Sequence, residues 1–287
     1  MAAETEIRIV VCGAAGRMGR EVVRAVSEAA DMRVVAVVDQ QEVGADAGTL
    51  AGMESLGVSI ESDLEEALER AQPEVLVDFT APNSVMENVR AALKCNISPV
   101  VGTTGLTAAN IAEIGRVAKI QSTGAFVAPN FAIGAVLIMQ FAAQAARYLP
   151  DVEIVEMHHP NKKDSPSGTA LLAAQRIAQA RKEAQVIPEP PPANLVETVS
   201  GARGARSINT GDIPIHSVRL PGLVAHHEIL FGGPGQLLTL RHDSTDRRSF
   251  MPGVLLAIRK VRSLEGLVVG LENLLYMPSP GVPPVFI

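Results

Sequence analysis

The side chains best suited to chemistry crowd into residues 156–170, EMHHPNKKDSPSGTA, where His158, His159, Lys162, Lys163 and Asp164 share one short segment. An imidazole titrates near neutral pH, and an ammonium group stands four residues further on. His158 and Lys162 are therefore a candidate pair for moving a proton. Ser167, Gly168 and Thr169 come next, just before the periodic apolar residues Leu171, Leu172, Ile177 and Ala178, so a helix is expected to begin near Ser167. A helix start carries N–H groups without partners and about half a positive charge, and glycine leaves its backbone open to a ligand. With Lys162 beside it, the place suits a carboxylate or a phosphate. The same residues would also serve as a solvated loop and an ordinary helix cap. A metal site is not expected: adjacent histidines on a strand point to opposite faces, and no carboxylate or cysteine stands at a typical ligand spacing.

The elements that must hold this segment can be read on either side of it. Asp151 to Met157 alternates polar and apolar residues, as a strand with one buried face does. Far upstream, the apolar strand Ile7–Cys12 runs into GAAGRMG, which places Gly13, Gly16 and Gly19 at regular spacing. A helix with Met18, Val22, Val23, Ala25, Val26 and Ala29 on its apolar side follows, then a strand at Arg33–Val38 that ends in Asp39. Strand, glycine turn, helix, strand and acid in that order seat a dinucleotide. The glycines admit a pyrophosphate, the helix start stabilises its charge, and the acid accepts hydrogen bonds from the adenosine ribose.

Alternation continues with a helix near Leu64–Ala71, a strand at Glu74–Phe79, a helix at Ser84–Lys94 and a strand at Pro99–Gly102, which implies a parallel sheet. Small polar loops follow the strands at residues 78–82, 102–105 and 128–131. Ligands of open parallel sheets collect at the carboxyl ends of strands, which makes Thr80, Thr103, Thr104 and Asn130 candidates to touch the nicotinamide half of a cofactor. Such residues also end strands and cap helices without binding anything.

After Asn130 a long apolar segment, Phe131–Leu149, reads as a buried helix opening a second domain. Beyond the reactive segment, the proline-rich run from Ile187 is expected to be a stiff connection, and Gly201–Gly211 a mobile loop whose Arg203 and Arg206 either guard an anionic site or, as is commoner for loop arginines, are simply solvated. Strands return at Ile215–Leu220, Leu223–Phe231 and Gln236–Arg241, and the short turns between them predict antiparallel neighbours. His226, His227 and His242 fall on or beside these strands as structural or interface residues. Such a sheet offers an edge for self-association. Asp246–Arg262 has the pattern of a final long helix.

Bulk properties narrow the class. With 287 residues and 47% hydrophobic content the chain can bury a large core, and a net charge of -6 gives the whole molecule no attraction for nucleic acid or anionic membranes. The longest apolar run, Phe131–Met139, is far below membrane-spanning length. The acidic N-terminus has no leader pattern, and Cys12 and Cys95 form no framework of pairs, so a reducing, cytoplasmic setting is expected.

Taken together, GAAGRMG at 13–19, VDFTAP at 77–82, VGTTG at 101–105, APNF at 128–131 and HHPNKKDSPSGTA at 158–170 resemble the 4-hydroxy-tetrahydrodipicolinate (dihydrodipicolinate) reductase family over nearly the whole chain. The resemblance implies an α/β fold: a Rossmann-like parallel-sheet cofactor domain from residues 1–130 and 243–287, and a central α+β domain, 131–242, with a mixed or antiparallel sheet that binds substrate and builds a homotetramer. It implies NAD(P)H-dependent reduction of a small cyclic dicarboxylate in lysine biosynthesis by way of diaminopimelate. By the same resemblance NADH or NADPH would be held by Gly13, Ala14, Ala15, Gly16, Arg17, Met18, Asp39, Gly102, Thr103, Thr104, Ala128, Pro129, Asn130 and Phe131. His158 and Lys162 would handle the proton, His159, Gly168 and Thr169 would bind the substrate carboxylates, and the two domains would close on their ligands. Two departures from the family pattern stand out. Asp39 is followed by Gln40 where relatives that read a 2′-phosphate often carry arginine, which favours NADH, and AHHEILFGGPGQ at 225–236 replaces the usual VGEH and FAGxxE patterns. Competing readings are another small-acid dehydrogenase on this architecture, or a nicotinamide-sensing protein without turnover.

Overall fold

Seven strands lie parallel in one sheet because their sequences are apolar on both faces, as a sheet covered by helices on each side requires. The computed structural model describes residues 6–187 and 213–275, which fall into two compact units: residues up to 131 with those from 247 on, and residues 132 to 246. The proline-rich run after Ile187 and the 201–211 segment with Arg203 and Arg206 lie outside the described residues.

In the first unit the chain runs β1 (Ile7–Cys12), α1 (Arg17–Glu28), β2 (Met32–Val38), α2 (Ala47–Leu50), β3 (Ile60–Glu61), α3 (Leu64–Ala71), β4 (Val75–Asp78), α4 (Val85–Lys94), β5 (Ser98–Val101), α5 (Ala108–Ile120) and β6 (Ala125–Val127). The second unit holds α6 (Ile133–Ala145), β7 (Asp151–His158), α7 (Gly168–Ala184), β8 (Ile215–Arg219), β9 (Ala225–Gly233) and β10 (Gln236–Ser244). The chain then returns to the first unit through a 3-10 turn (Arg247–Phe250), α8 (Met251–Val261), β11 (Leu267–Val269) and α9 (Glu272–Leu275). The helix expected over Asp246–Arg262 is thus a 3-10 turn followed by a shorter α-helix.

The first sheet has the order β11-β6-β5-β4-β1-β2-β3, with every pair parallel. On one face Val10 and Cys12 of β1 pack with Ala67 and Leu68 of α3 and Ala92 of α4, and Val101 and Val127 pack with Val89 of α4 and Ile114 of α5. The chain's late return supplies α8, which packs with α1 and against β4, β5 and β6. Strand order reverses between β1 and β4, so their carboxyl ends open side by side, the usual ligand crevice of such sheets.

In the second unit β7 is central: it pairs parallel with β8 and antiparallel with β9, and β9 pairs antiparallel with β10. The sheet is mixed. This corrects the expectation that the strands at 215–220 and 223–231 are antiparallel neighbours, because β7 lies between them. The turn at Pro221-Gly222 carries the chain across β7 instead of closing a hairpin. The alternation predicted for β7 holds, with Val152, Ile154, Glu156 and His158 on the buried face.

Gly19 shows why the glycine turn resists change. A Cβ there would run into the carbonyl of Gly13 and the Cα of Ala14, neither of which can yield without moving β1 or α1. Gly19→Ala should lower unfolding stability by about 1–3 kcal/mol in spite of alanine's better helix propensity. Urea titration checks this: the midpoint falls with an unchanged slope, and a midpoint equal to or above wild type contradicts the packing.

Candidate active site

At the end of β1 the chain must turn sharply, and Gly13 does so with φ +81°, where a Cβ would stand 2.6 Å from the carbonyl oxygen of Phe79. Gly16 is the N-cap of α1. No side chain caps this helix and no acid lies in its first turn, so the end is left to an anion. Asp39, beyond β2, accepts hydrogen bonds from the Ala15 N–H (2.9 Å) and the Gln41 N–H (2.9 Å). These hold the glycine turn and leave carboxylate lone pairs for a hydroxyl. Cys12, Gly13, Gly16, Asp39, Gln40 and Thr80 are among the residues lining a cavity of about 340 Å³ here. A glycine cradle, an uncapped helix end and a tethered acid fit a dinucleotide's pyrophosphate and ribose.

The loops after β4 and β5 are tied by a residue that motif reading passed over. Asp78 is fully buried; its Oδ1 accepts from Thr103 Oγ1 (2.6 Å), Thr80 Oγ1 (2.8 Å) and the Thr80 N–H (3.1 Å), and its Oδ2 from Asn88 Nδ2 (2.8 Å). The hydroxyls of Thr80 and Thr103 donate to Asp78 and so shape the loops, and their oxygens keep lone pairs to accept from a ligand. Thr104 is exposed and Gly102 half-buried, with no room for a Cβ against the Phe79 ring. Of the 128–131 loop, Ala128 is buried, Pro129 exposed and Asn130 half-buried. Phe131 packs its ring on Phe79 and Phe126, at centroid separations of 5.7 and 5.8 Å. Ala14 and Ala15 are buried, while Arg17 is exposed and Met18 half-buried.

In the second unit His158 ends β7 on its buried face, and its Nδ1 lies 2.5 Å from Oε2 of Glu156. Glu156 has no exposed surface. Arg219 of β8, in register with His158, grips it through Nη2 to Oε1 (2.7 Å) and Nη1 to Oε2 (3.0 Å), and the Ser167 N–H donates to Oε1 (3.2 Å). Burial favours the neutral acid, but the hydrogen bonds from His158 and Arg219 outweigh it and hold the carboxyl down at about 2.

The loop leaving β7 turns at once, Lys162 N–H donating to the His159 carbonyl. It places the Lys162 ammonium 2.8 Å from Asp164, and that ion pair lowers the Asp164 carboxyl below its ordinary range. Arg219 Nη2 also reaches the Asp164 carbonyl (2.8 Å). As expected, α7 begins here: Ser167 caps it, its Oγ accepting from the Ala170 N–H (3.3 Å). Gly168 and Thr169 form the first turn, with open space where a Gly168 Cβ would stand. His159 is half-buried beside the loop. Among the described residues no group of three or more His, Cys, Asp and Glu is placed to hold a metal ion, and no helix is long and apolar enough to cross a membrane.

Sequence reading missed Glu156 and Arg219 as site residues. A signal for the first was present: Val152, Ile154, Glu156 and His158 share one strand face, so an acid stood where alternation calls for an apolar side chain. Arg219 carried none, because only the β7–β8 register brings it to Glu156.

His227 of β9 stacks edge-on against His158 at 5.9 Å. Burial, helped by the charge at His158, pushes its imidazole from 6.5 down to about 4. The unfolded chain therefore binds a proton below pH 6.5 that the folded chain refuses until about pH 4. Stability is full above 6.5 and falls through that window by up to about 3 kcal/mol. The loss tied to Glu156 lies lower, between 4.5 and about 2. His227→Gln should flatten the upper decline, and urea unfolding at a series of pH values reads it; an unchanged slope between pH 6.5 and 4 would mean that His227 titrates as if exposed.

Two family models cover the described chain: "Dihydrodipicolinate reductase, N-terminus" matches residues 7–131 and "Dihydrodipicolinate reductase, C-terminus" residues 134–275. The 4-hydroxy-tetrahydrodipicolinate reductase of Moorella thermoacetica is 51% identical over 269 residues, covering 94% of this chain and 98% of the relative. That of Synechocystis is 50% identical over 281 residues, covering 96% and 100%. Among solved structures, a dipicolinate-bound dihydrodipicolinate reductase from Paenisporosarcina sp. TG-14 superposes with a TM-score of 0.81 at 46% identity, covering 94% of this chain and 99% of that one. With both halves matched and half the residues shared along almost its full length, the chain belongs to the dihydrodipicolinate reductase family.

Proposed function

We propose that this chain is an NAD(P)H-dependent 4-hydroxy-tetrahydrodipicolinate reductase of the diaminopimelate route to lysine, working in the cytoplasm. It would convert (2S,4S)-4-hydroxy-2,3,4,5-tetrahydrodipicolinate, NAD(P)H and a proton into (S)-2,3,4,5-tetrahydrodipicolinate, NAD(P)+ and water. One observation supports this most directly: a carboxylate-bound histidine ends β7, and the loop that follows it carries a lysine and ends at a helix N-terminus. When bound, the reduced nicotinamide supplies the hydride.

The chain's own groups do the rest. Gly13 to Met18 seat the pyrophosphate at the start of α1, and Asp39 takes the ribose hydroxyls. Residues 102–104 and 128–131 line the nicotinamide half, the first of these loops held in shape by Asp78 through Thr103. On the other unit, His159, Gly168 and Thr169 bind the substrate carboxylates at the α7 N-terminus, where N–H dipoles and the Lys162 charge favour a dianion. His158 and Lys162 deliver the proton that keeps negative charge from building on the reacting ring. In this reading the unit of residues 132–246 also builds a homotetramer, which the exposed Leu237 and Leu238 on edge strand β10 support.

NADH is the preferred donor in this proposal. Asp39 repels a 2′-phosphate, and Gln40 has its amide turned to the Ser62 carbonyl (2.9 Å), with no cation in its place. Gln40→Arg should raise kcat/KM for NADPH relative to NADH roughly tenfold; a ratio that does not move would place the selectivity elsewhere, with exposed Arg17 the next position to vary.

The activity is tested by mixing the purified chain with NADH and the freshly made condensation product of pyruvate and aspartate semialdehyde. Consumption of NADH is expected; binding without consumption would favour a sensor. His158→Gln and Lys162→Met should each lower kcat by about a hundred- to ten-thousand-fold while leaving NADH affinity within about twofold. Wild-type turnover in both variants would remove them from the mechanism.

A further inference from the structure

We infer that Glu156 is the positioning residue for His158: its buried carboxylate, clamped by Arg219 and the α7 cap, fixes the imidazole with Nδ1–H turned inward, so that Nε2 is the atom that exchanges the proton. This deepens the proposed reductase function and rests on it.

The geometry carries the argument. A carboxylate only accepts hydrogen bonds, so the 2.5 Å contact requires a hydrogen on Nδ1. Glu156 has no exposed surface, and both its oxygens are held in place from elsewhere, by Arg219 Nη1 and Nη2 and the Ser167 N–H. The anchor therefore cannot follow the ring if the ring turns. Glu156 and His158 also sit two residues apart on one face of β7, so the strand itself sets their separation. A carboxylate behind an imidazole does two things at once: it selects the tautomer and it favours the charged ring.

A purely structural role, neutralising Arg219, would need no contact with the ring. The other ionisable groups around His158 are Arg219 from β8, His227 from β9, and Lys162 and Asp164 from the following loop. Of these Arg219 already belongs to the clamp, and Lys162 is paired with Asp164. His227 is neutral at pH 7, so it neither competes for the carboxylate nor repels a proton on His158.

Glu156→Gln makes a sharp test. Glutamine has a single oxygen, which the guanidinium claims, so its amide faces the ring and forces Nδ1 to accept. The full chain is labelled with ¹⁵N-histidine, His158 is assigned by its loss in His158→Gln, and two-bond ¹H–¹⁵N spectra read the tautomer. Wild type should show Nδ1–H and E156Q Nε2–H. In turnover, kcat of E156Q should fall on the order of tenfold to a hundredfold, with KM for the substrate within about threefold. The limb of its pH–kcat/KM profile that reports loss of the donated proton should move to lower pH, because the charge favouring the imidazolium is gone. Glu156→Asp, which restores the charge, should recover part of the rate.

An Nε2–H tautomer in wild type overturns the inference, as does E156Q with kcat within about twofold of wild type and an unshifted profile. Should E156Q not fold, the wild-type spectrum decides alone. Absence of NADH consumption by wild type would defeat the reductase proposal while leaving the tautomer result standing, so the two failures are distinguishable.

Discussion

A carboxylate without exposed surface must be surrounded by donors, and the second unit is organised around one. Removing Glu156 from water costs several kcal/mol unless its lone pairs are filled, and they are filled from three separate elements: the end of β7, the end of β8 and the cap of α7. That requirement makes the loop between β7 and α7 what it is. Both its ends are attached to the same acid, and Arg219 holds its middle through the Asp164 carbonyl. The loop that carries Lys162 and leads into α7 is thereby fixed at both ends to the acid that His158 touches.

The first unit uses the same device twice at strand ends. Asp78 gathers the loops after β4 and β5, and Asp39 gathers the glycine turn after β1. A parallel sheet brings strand ends together but leaves the loops beyond them without ladder partners. An acid at the last strand position or just past it supplies acceptors for their N–H and hydroxyl groups. Loops shaped beforehand lose less conformational freedom when a ligand arrives, so the acids support binding even where they do not touch the ligand.

How far this could be read beforehand follows from what a linear sequence records. Periodicity and glycine spacing are local, and they located β1, α1, β2, the alternation through β5, the inward face of β7 and the start of α7 within a residue or two. Strand order is not local. The turn at Pro221-Gly222 looks like a hairpin, yet β7 inserts between β8 and β9, since β7 has two edges to satisfy and each of the later strands takes one. Site residues divide in the same way. Gly13, Asp39, His158 and Lys162 are candidates by type and spacing alone. Arg219 becomes a partner of Glu156 only through register, and only the fold shows that the Thr80 and Thr103 hydroxyls donate to Asp78.

The second sheet keeps its geometry through the departure at 225–236. The hairpin still closes, with Gly235 at φ +68° between β9 and β10, and β9 keeps its alternation, burying His227, Ile229 and Phe231. Register sets His227 opposite Glu156 on β7, while His226 turns to Asp243 on β10 (2.6 Å). Two imidazoles thus stand 5.9 Å apart in a largely dry place, where both cannot be charged at little cost. Only one of them touches a carboxylate. Burial outweighs the pull of the Glu156 carboxylate, which His227 does not touch, and keeps the His227 imidazole neutral. The sequence change leaves that asymmetry intact, because it depends on one acid being within reach of one ring, and not on the identity of the residues that build the rest of the strand.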